Sequence, residues 1–147
     1  MKQNLSQLFL ENINEPLNYN VNYKLNVSDE CKSIINKFIE YTKNTLDITE
    51  LPNIVITDDR TTVPMTTGAF LPDSNTIYIY AKNRALCDYL RTLAHELSHY
   101  KQRLDGKIPK TLNGRNKPLE DEANIDSGDL IYNFAHSNED NKVIYDL

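Results

Sequence analysis

The sequence predicts an α+β fold in which a small antiparallel sheet packs on a long helix and a second helix follows it. Three observations carry this. A helical apolar pattern covers 28–46, short β-branched runs fall between 54 and 80, and two further helical patterns cover 83–104 and 119–134. At 147 residues the chain is the size of one domain and can bury a core without disulfide staples. It reads as a single domain over 1–147, with an N-terminal extension at 1–27 and a C-terminal tail at 137–147.

In the first helix Ser28 is placed to cap, Asp29 and Glu30 suit the positive end of the dipole, and Cys31, Ile34, Ile35, Phe38 and Tyr41 recur at helical spacing. After Pro52 the run Ile54, Val55, Ile56, Thr57 predicts a strand. A second strand over about Thr66 to Leu71, a turn at Pro72-Asp73-Ser74-Asn75 and a third strand from Thr76 to Tyr80 predict a hairpin. The next helix is expected from a cap at Asn83 to Leu104, stopped by Asp105-Gly106. Lys107 to Pro118 reads as a loop, and Leu119 to Phe134 as the last helix. Val143, Ile144 and Tyr145 in the tail are apolar enough either to dock or to fray.

Composition excludes several classes of function. Net charge is −5, and the sixteen Lys and Arg are scattered, so no basic stripe offers itself to a nucleic acid. The only apolar run near the N-terminus, Leu8-Phe9-Leu10, is too short for a signal peptide or a membrane span, which leads to the expectation of a cytoplasmic protein with no membrane partner. Cys31 and Cys87 are then expected as reduced, mostly buried thiols. Abundant Asn, Lys, Ile and Tyr would suit an AT-rich bacterial or phage gene, and the host cytoplasm in the latter case. Oligomeric state is not legible.

The chemistry is concentrated in His95-Glu96-Leu97-Ser98-His99, an HExxH pattern inside a predicted helix. Two His one turn apart project from one face and can share a metal, while the Glu between them lies beside an open coordination position. Leu86, Leu90, Leu93, Leu97 and Leu104 form a stripe on one side of that helix. The two His lie opposite it, with Asp88, Arg91, Thr92 and Gln102. A third ligand is needed to separate a metal site from a solvated face. Glu122 and Asp126, four apart at the start of the last helix, present two carboxylates on one face, of which one can bind metal and the other can orient a ligand. Asp126 suits the remaining N–H of a metal-binding His, His95 being the expected one. The helix dipole alone would explain Glu120, Asp121 and Glu122, but not Asp126. His136 lies about 20 Å along the helix from Glu122 and is read as a surface or helix-end residue.

His95-Glu96-Leu97-Ser98-His99 followed by Glu122-Ala123-Asn124-Ile125-Asp126 resembles the gluzincins, the HExxH…ExxxD branch of zinc metallopeptidases, over roughly the half of the chain from the hairpin onward. The likeness is greatest to minimal single-domain members, with a further similarity to peptidase domains of the ImmA/IrrE type. A metzincin would want Gly and His where this chain has Gln102 and Asp105. The resemblance implies a zincin-like fold and zinc bound by His95, His99 and Glu122. It also implies Glu96 as general base, Asp126 behind the ligands, and a peptide or protein substrate lying along the edge strand. Thr66, Thr67, Gly68, Ala69 and Phe70 are the candidates for that strand, since Gly and Ala permit close backbone approach. No oxyanion donor can be matched, although Tyr100, Arg115, Tyr132 and His136 are available. Other readings are an inactive metal-binding module acting as a structural or interaction protein, a regulator that cleaves one partner, and a hydrolase of non-peptide substrates.

Overall fold

The computed structural model describes residues 21–63, 66–108 and 116–147. Their elements run β1 (Val21–Lys24), α1 (Asp29–Thr45), β2 (Asn53–Thr57), β3 (Gly68–Leu71), β4 (Thr76–Tyr80), α2 (Leu86–Leu104), α3 (Lys117–Ser137) and a 3₁₀ segment (Glu139–Tyr145). Ser28 caps α1 as its chemistry dictates, its Oγ accepting from the Cys31 N–H at 3.1 Å. Cys31 and Cys87 are unpaired thiols, each half-buried.

The sheet is mixed rather than antiparallel, in the order β1-β2-β4-β3. β3 and β4 form the expected antiparallel hairpin, with Leu71 opposite Thr76. β2 pairs with β4 in parallel, and β1 pairs with β2 in parallel, Val21 opposite Ile54. The extension expected over 1–27 therefore contributes a strand, and α1 is the crossover that two adjacent parallel strands require. Residues 1–20, including Leu8-Phe9-Leu10, lie outside the described residues. Four residues alternating as Val-Asn-Tyr-Lys give too brief a period-two signal to read alone; the partner strand decides their state.

Ile54, Ile56, Ile77 and Ile79 point from the sheet into one core with Ile35, Phe38 and Ile39 of α1, and Phe134 of α3 meets Phe38 edge-on at 5.2 Å. α2 runs through the middle of this assembly and packs on α1, α3, β3, β4 and the 3₁₀ segment. Its Leu86, Leu90, Leu93 and Leu97 are fully buried. Leu104, expected in the same stripe, is 53% exposed because the helix has run past the core by its last turn.

Two helix ends differ from expectation. Asn83 does not cap α2: it takes a left-handed φ of 56°, and Ala85 occupies the N-cap without a side-chain bond. Arg84 ties down that end instead, donating to the carbonyls of Tyr80 (2.7 Å) and Asp88 (3.1 Å) and to Thr92 Oγ1 (2.8 Å). α3 starts at Lys117, with Asn116 Oδ1 accepting from the Leu119 N–H at 3.2 Å. Pro118 is accommodated because first-turn N–H groups have no helical partner to lose. The stop after α2 is as read: Gly106 at φ 76° lets the Lys107 N–H reach the Gln102 carbonyl at 2.9 Å. The tail docks, burying Ile144. Among the described residues no helix is long and apolar enough to cross a membrane.

β3 lies close against α2 at Gly68. A Cβ there would sit 2.8 Å from Thr92 Cγ2 and 3.0 Å from Glu96 Cγ. Gly68→Ala is therefore expected to destabilise the protein by about 1–3 kcal/mol, as overpacking does. Adding Thr92→Ser, which removes Cγ2 but keeps the acceptor for Arg84, should recover part of the loss. Thermal denaturation of the single and double variants checks both.

Candidate metal centre and its cleft

The face of α2 opposite its leucines carries His95 and His99, half-buried and one turn apart, with their Nε2 atoms 3.1 Å from each other. Glu120, in the first turn of α3, completes the group: Oε1 lies 2.8 Å from His95 Nε2 and Oε2 3.2 Å from His99 Nε2. Three electron-pair donors thus face a common point, which only a cation or a shared proton can satisfy. The separations lie near the ~3.3 Å expected between ligands held tetrahedrally at about 2.0–2.1 Å. His95, His99 and Glu120 could hold a metal ion.

Gln102 fixes how His99 presents itself. Its Nε2 donates to the Leu119 carbonyl at 3.0 Å and to Glu122 Oε1 at 2.7 Å, so its Oε1 must face the histidine ring. His99 Nδ1 lies 2.8 Å from that oxygen and therefore carries the proton. Nε2 is left as a bare lone pair aimed at the common point, the arrangement in which an outer hydrogen bond sets the ligand tautomer. Burial, then the neighbouring His99, push His95 below the usual histidine range, against the opposing pull of Glu120 and of the Asn124 side chain. A neutral imidazole is the form that binds metal.

Of the pair that the sequence and the resemblance point to, Glu122 is turned to Gln102, and neither Glu122 nor Asp126 belongs to the group that could hold a metal ion. Glu122 accepts from Gln102 and lies 3.7 Å from Lys107 Nζ. Asp126 is held above the usual carboxylate range by burial first and by Glu122 and Asp129 second. The physical reason that Glu120 rather than Glu122 meets the histidines is helical phase. At ~100° per residue the buried stripe of α3, through Ala123, Ser127, Leu130, Ile131 and Phe134, continues back to Glu120 within about 30°, whereas Glu122 lies about 130° away. That stripe was the signal in the sequence that could have identified Glu120.

Glu96 lines the same cleft, its side chain against Gly68, and the cleft has a volume of about 360 Å³. Gly68, Ala69 and Phe70 of β3, with Thr66 just before it, form one wall, and β3 is an edge of the sheet. Thr67 is not part of that wall; its carbonyl accepts from the Tyr80 N–H at 2.9 Å. Arg60 steadies the chain entering β3, donating to the carbonyls of Val63 (3.0 Å) and Thr66 (2.7 Å) with its guanidinium over the Tyr80 ring. Tyr100 lines the cleft but donates its hydroxyl to the Glu50 carbonyl at 3.1 Å. His136 is exposed and stacks on Tyr132, away from the cleft lining, and Arg115 falls outside the described residues.

Gln102→Leu keeps the volume but strips His99 of its acceptor. The variant is expected to bind Zn²⁺ about 10–100-fold more weakly, as loss of an outer-shell partner does, measured by competition with a chromogenic chelator. Comparison with protein-family models, with curated proteins and with solved structures finds no match, so the meaning of this centre rests on its own geometry and chemistry.

Proposed function

We propose that the protein is a zinc-dependent peptidase in which His95, His99 and Glu120 hold the metal and Glu96 is the general base. The observation that carries the reading is the convergence of two imidazole nitrogens and a carboxylate beside Glu96 in a cleft walled by an edge strand. Two His and one carboxylate suit zinc, and three protein ligands leave a position open, which is a catalytic rather than a structural coordination pattern. The gluzincin likeness is kept with its third ligand moved by two residues. Glu120 and Asn124 stand at the same four-residue spacing as Glu122 and Asp126, with an amide in place of the second carboxylate.

Zinc bound there would supply Lewis acidity, polarising a carbonyl oxygen and acidifying water. Glu96, adjacent in sequence to one ligand and facing the cleft, takes the proton of the attacking water and delivers it to the departing amine. β3 offers backbone N–H and C=O groups to an extended peptide, and the absence of a side chain at Gly68 lets that strand lie against Glu96. Gln102 orients His99 from behind, so the cleft face of that ring is set before substrate arrives.

Two measurements test this. Purified protein should take up one equivalent of zinc and cleave an unfolded protein such as casein. Glu96→Gln should keep the zinc and lose activity by at least about 10²-fold, the usual contribution of a general base. Zinc with no cleavage of any peptide would instead make this a metal-binding module. Separately, Glu120→Ala should weaken zinc binding well beyond the ~10–100-fold expected of an outer partner, and Glu122→Ala should fall within that range. The reverse order would return the third-ligand role to Glu122.

A further inference from the structure

The cleft has two chemically different ends. One holds His95, His99, Glu96 and Glu120, with two carboxylates. The other is marked by Arg103 over the Phe70 ring, with Tyr100 against the same ring, and Ile108 adds to the apolar lining of the cleft. Arg103 follows His99 by four residues, so it projects from the same face of α2 about 6 Å further along the axis. Among the described residues that line the cleft it is the only Lys or Arg.

Its neighbours on the same stretch of chain are neutralised: Lys101 pairs with Asp105 at 3.3 Å and Lys107 with Glu122 at 3.7 Å. Among the described residues Arg103 has no carboxylate partner. It is instead held over the Phe70 ring, its Cζ 5.3 Å from the centroid, and Phe70 is itself braced edge-on by Tyr100 at 5.6 Å. A cation–π contact of this kind holds the guanidinium near the ring without engaging its N–H donors in an ion pair. A fork so held matches a carboxylate in bidentate fashion.

We propose that Arg103 is the recognition group for a substrate carboxylate, so that the cleft selects peptides carrying a negative charge a short way from the bond to be cut. This rests on the peptidase reading above. The carboxylate is either an Asp or Glu side chain within the peptide or the free C-terminus of a short one. Phe70 and Tyr100 beneath the guanidinium would pack the methylene groups of the same residue.

The test uses full-length, zinc-loaded Glu96→Gln protein, which binds without turnover, and fluorescein-labelled short peptides of Ala, Ser and Leu. Each carries Glu or Gln at one chosen position and a free or amidated C-terminus, and binding is read by fluorescence anisotropy. The expected result is about tenfold tighter binding of one Glu peptide over its Gln twin, or of free over amidated ends, fading as salt rises. Adding Arg103→Gln should abolish that preference, and Arg103→Lys should restore only part of it. An acidic preference that survives Arg103→Gln, or none at all while wild-type protein cleaves the peptides, overturns the Arg103 assignment and leaves the peptidase reading standing. No binding of any peptide together with no cleavage overturns both.

Discussion

Everything at the centre depends on the way α3 is fitted against α2. Neither helix holds a site alone: α2 brings two imidazoles, and the carboxylate that completes the group comes from α3. Gln102 is the joint between them, buried, bonded on one side to His99 and on the other to the Leu119 carbonyl and Glu122. A buried amide with three partners locks in place the distance and the rotational phase that the buried face of α3 sets. It also fixes a tautomer, so one hydrogen-bond set serves the packing and the chemistry together.

The second constraint is the closeness of β3 to α2. On that side of the cleft Gly68 brings the backbone of the edge strand against Thr92 and Glu96. Arg60 and Arg84 secure the two ends of this contact, the first through the carbonyl of Thr66 and the second through Thr92 itself. Both act by donating to backbone or hydroxyl oxygen rather than by ion pairing, so the arrangement is directional and little affected by salt. That wall of the cleft is in this way set by Arg60, Gly68 and Arg84, all of which lie outside α2.

Much of the architecture was legible from local pattern. Ser28 and the apolar spacing of Ile34, Ile35 and Phe38 define α1, and the hairpin around Pro72 to Asn75 falls where turn chemistry places it. Gly106 closes α2 for the conformational reason that glycine allows. What escaped was non-local. β1 owes its state to pairing with Ile54 and its neighbours, some thirty residues away, so four alternating residues could not declare themselves. The parallel character of the sheet escaped with it, since direction depends on where α1 returns the chain.

By itself, the sequence determined that two imidazoles and a carboxylate stand together on α2, because residues 95, 96 and 99 share a face of any helix whatever surrounds it. It also determined that acidic residues open the following helix. Which of them meets the histidines was decided only by tertiary structure. Glu120 and Glu122 are equal in chemistry and two positions apart, and that step turns a side chain through about 200°. The burial of Ala123, Ser127, Leu130 and Phe134 against the rest of the molecule sets the rotation of α3, and with it points Glu120 at the two histidines and Glu122 at Gln102.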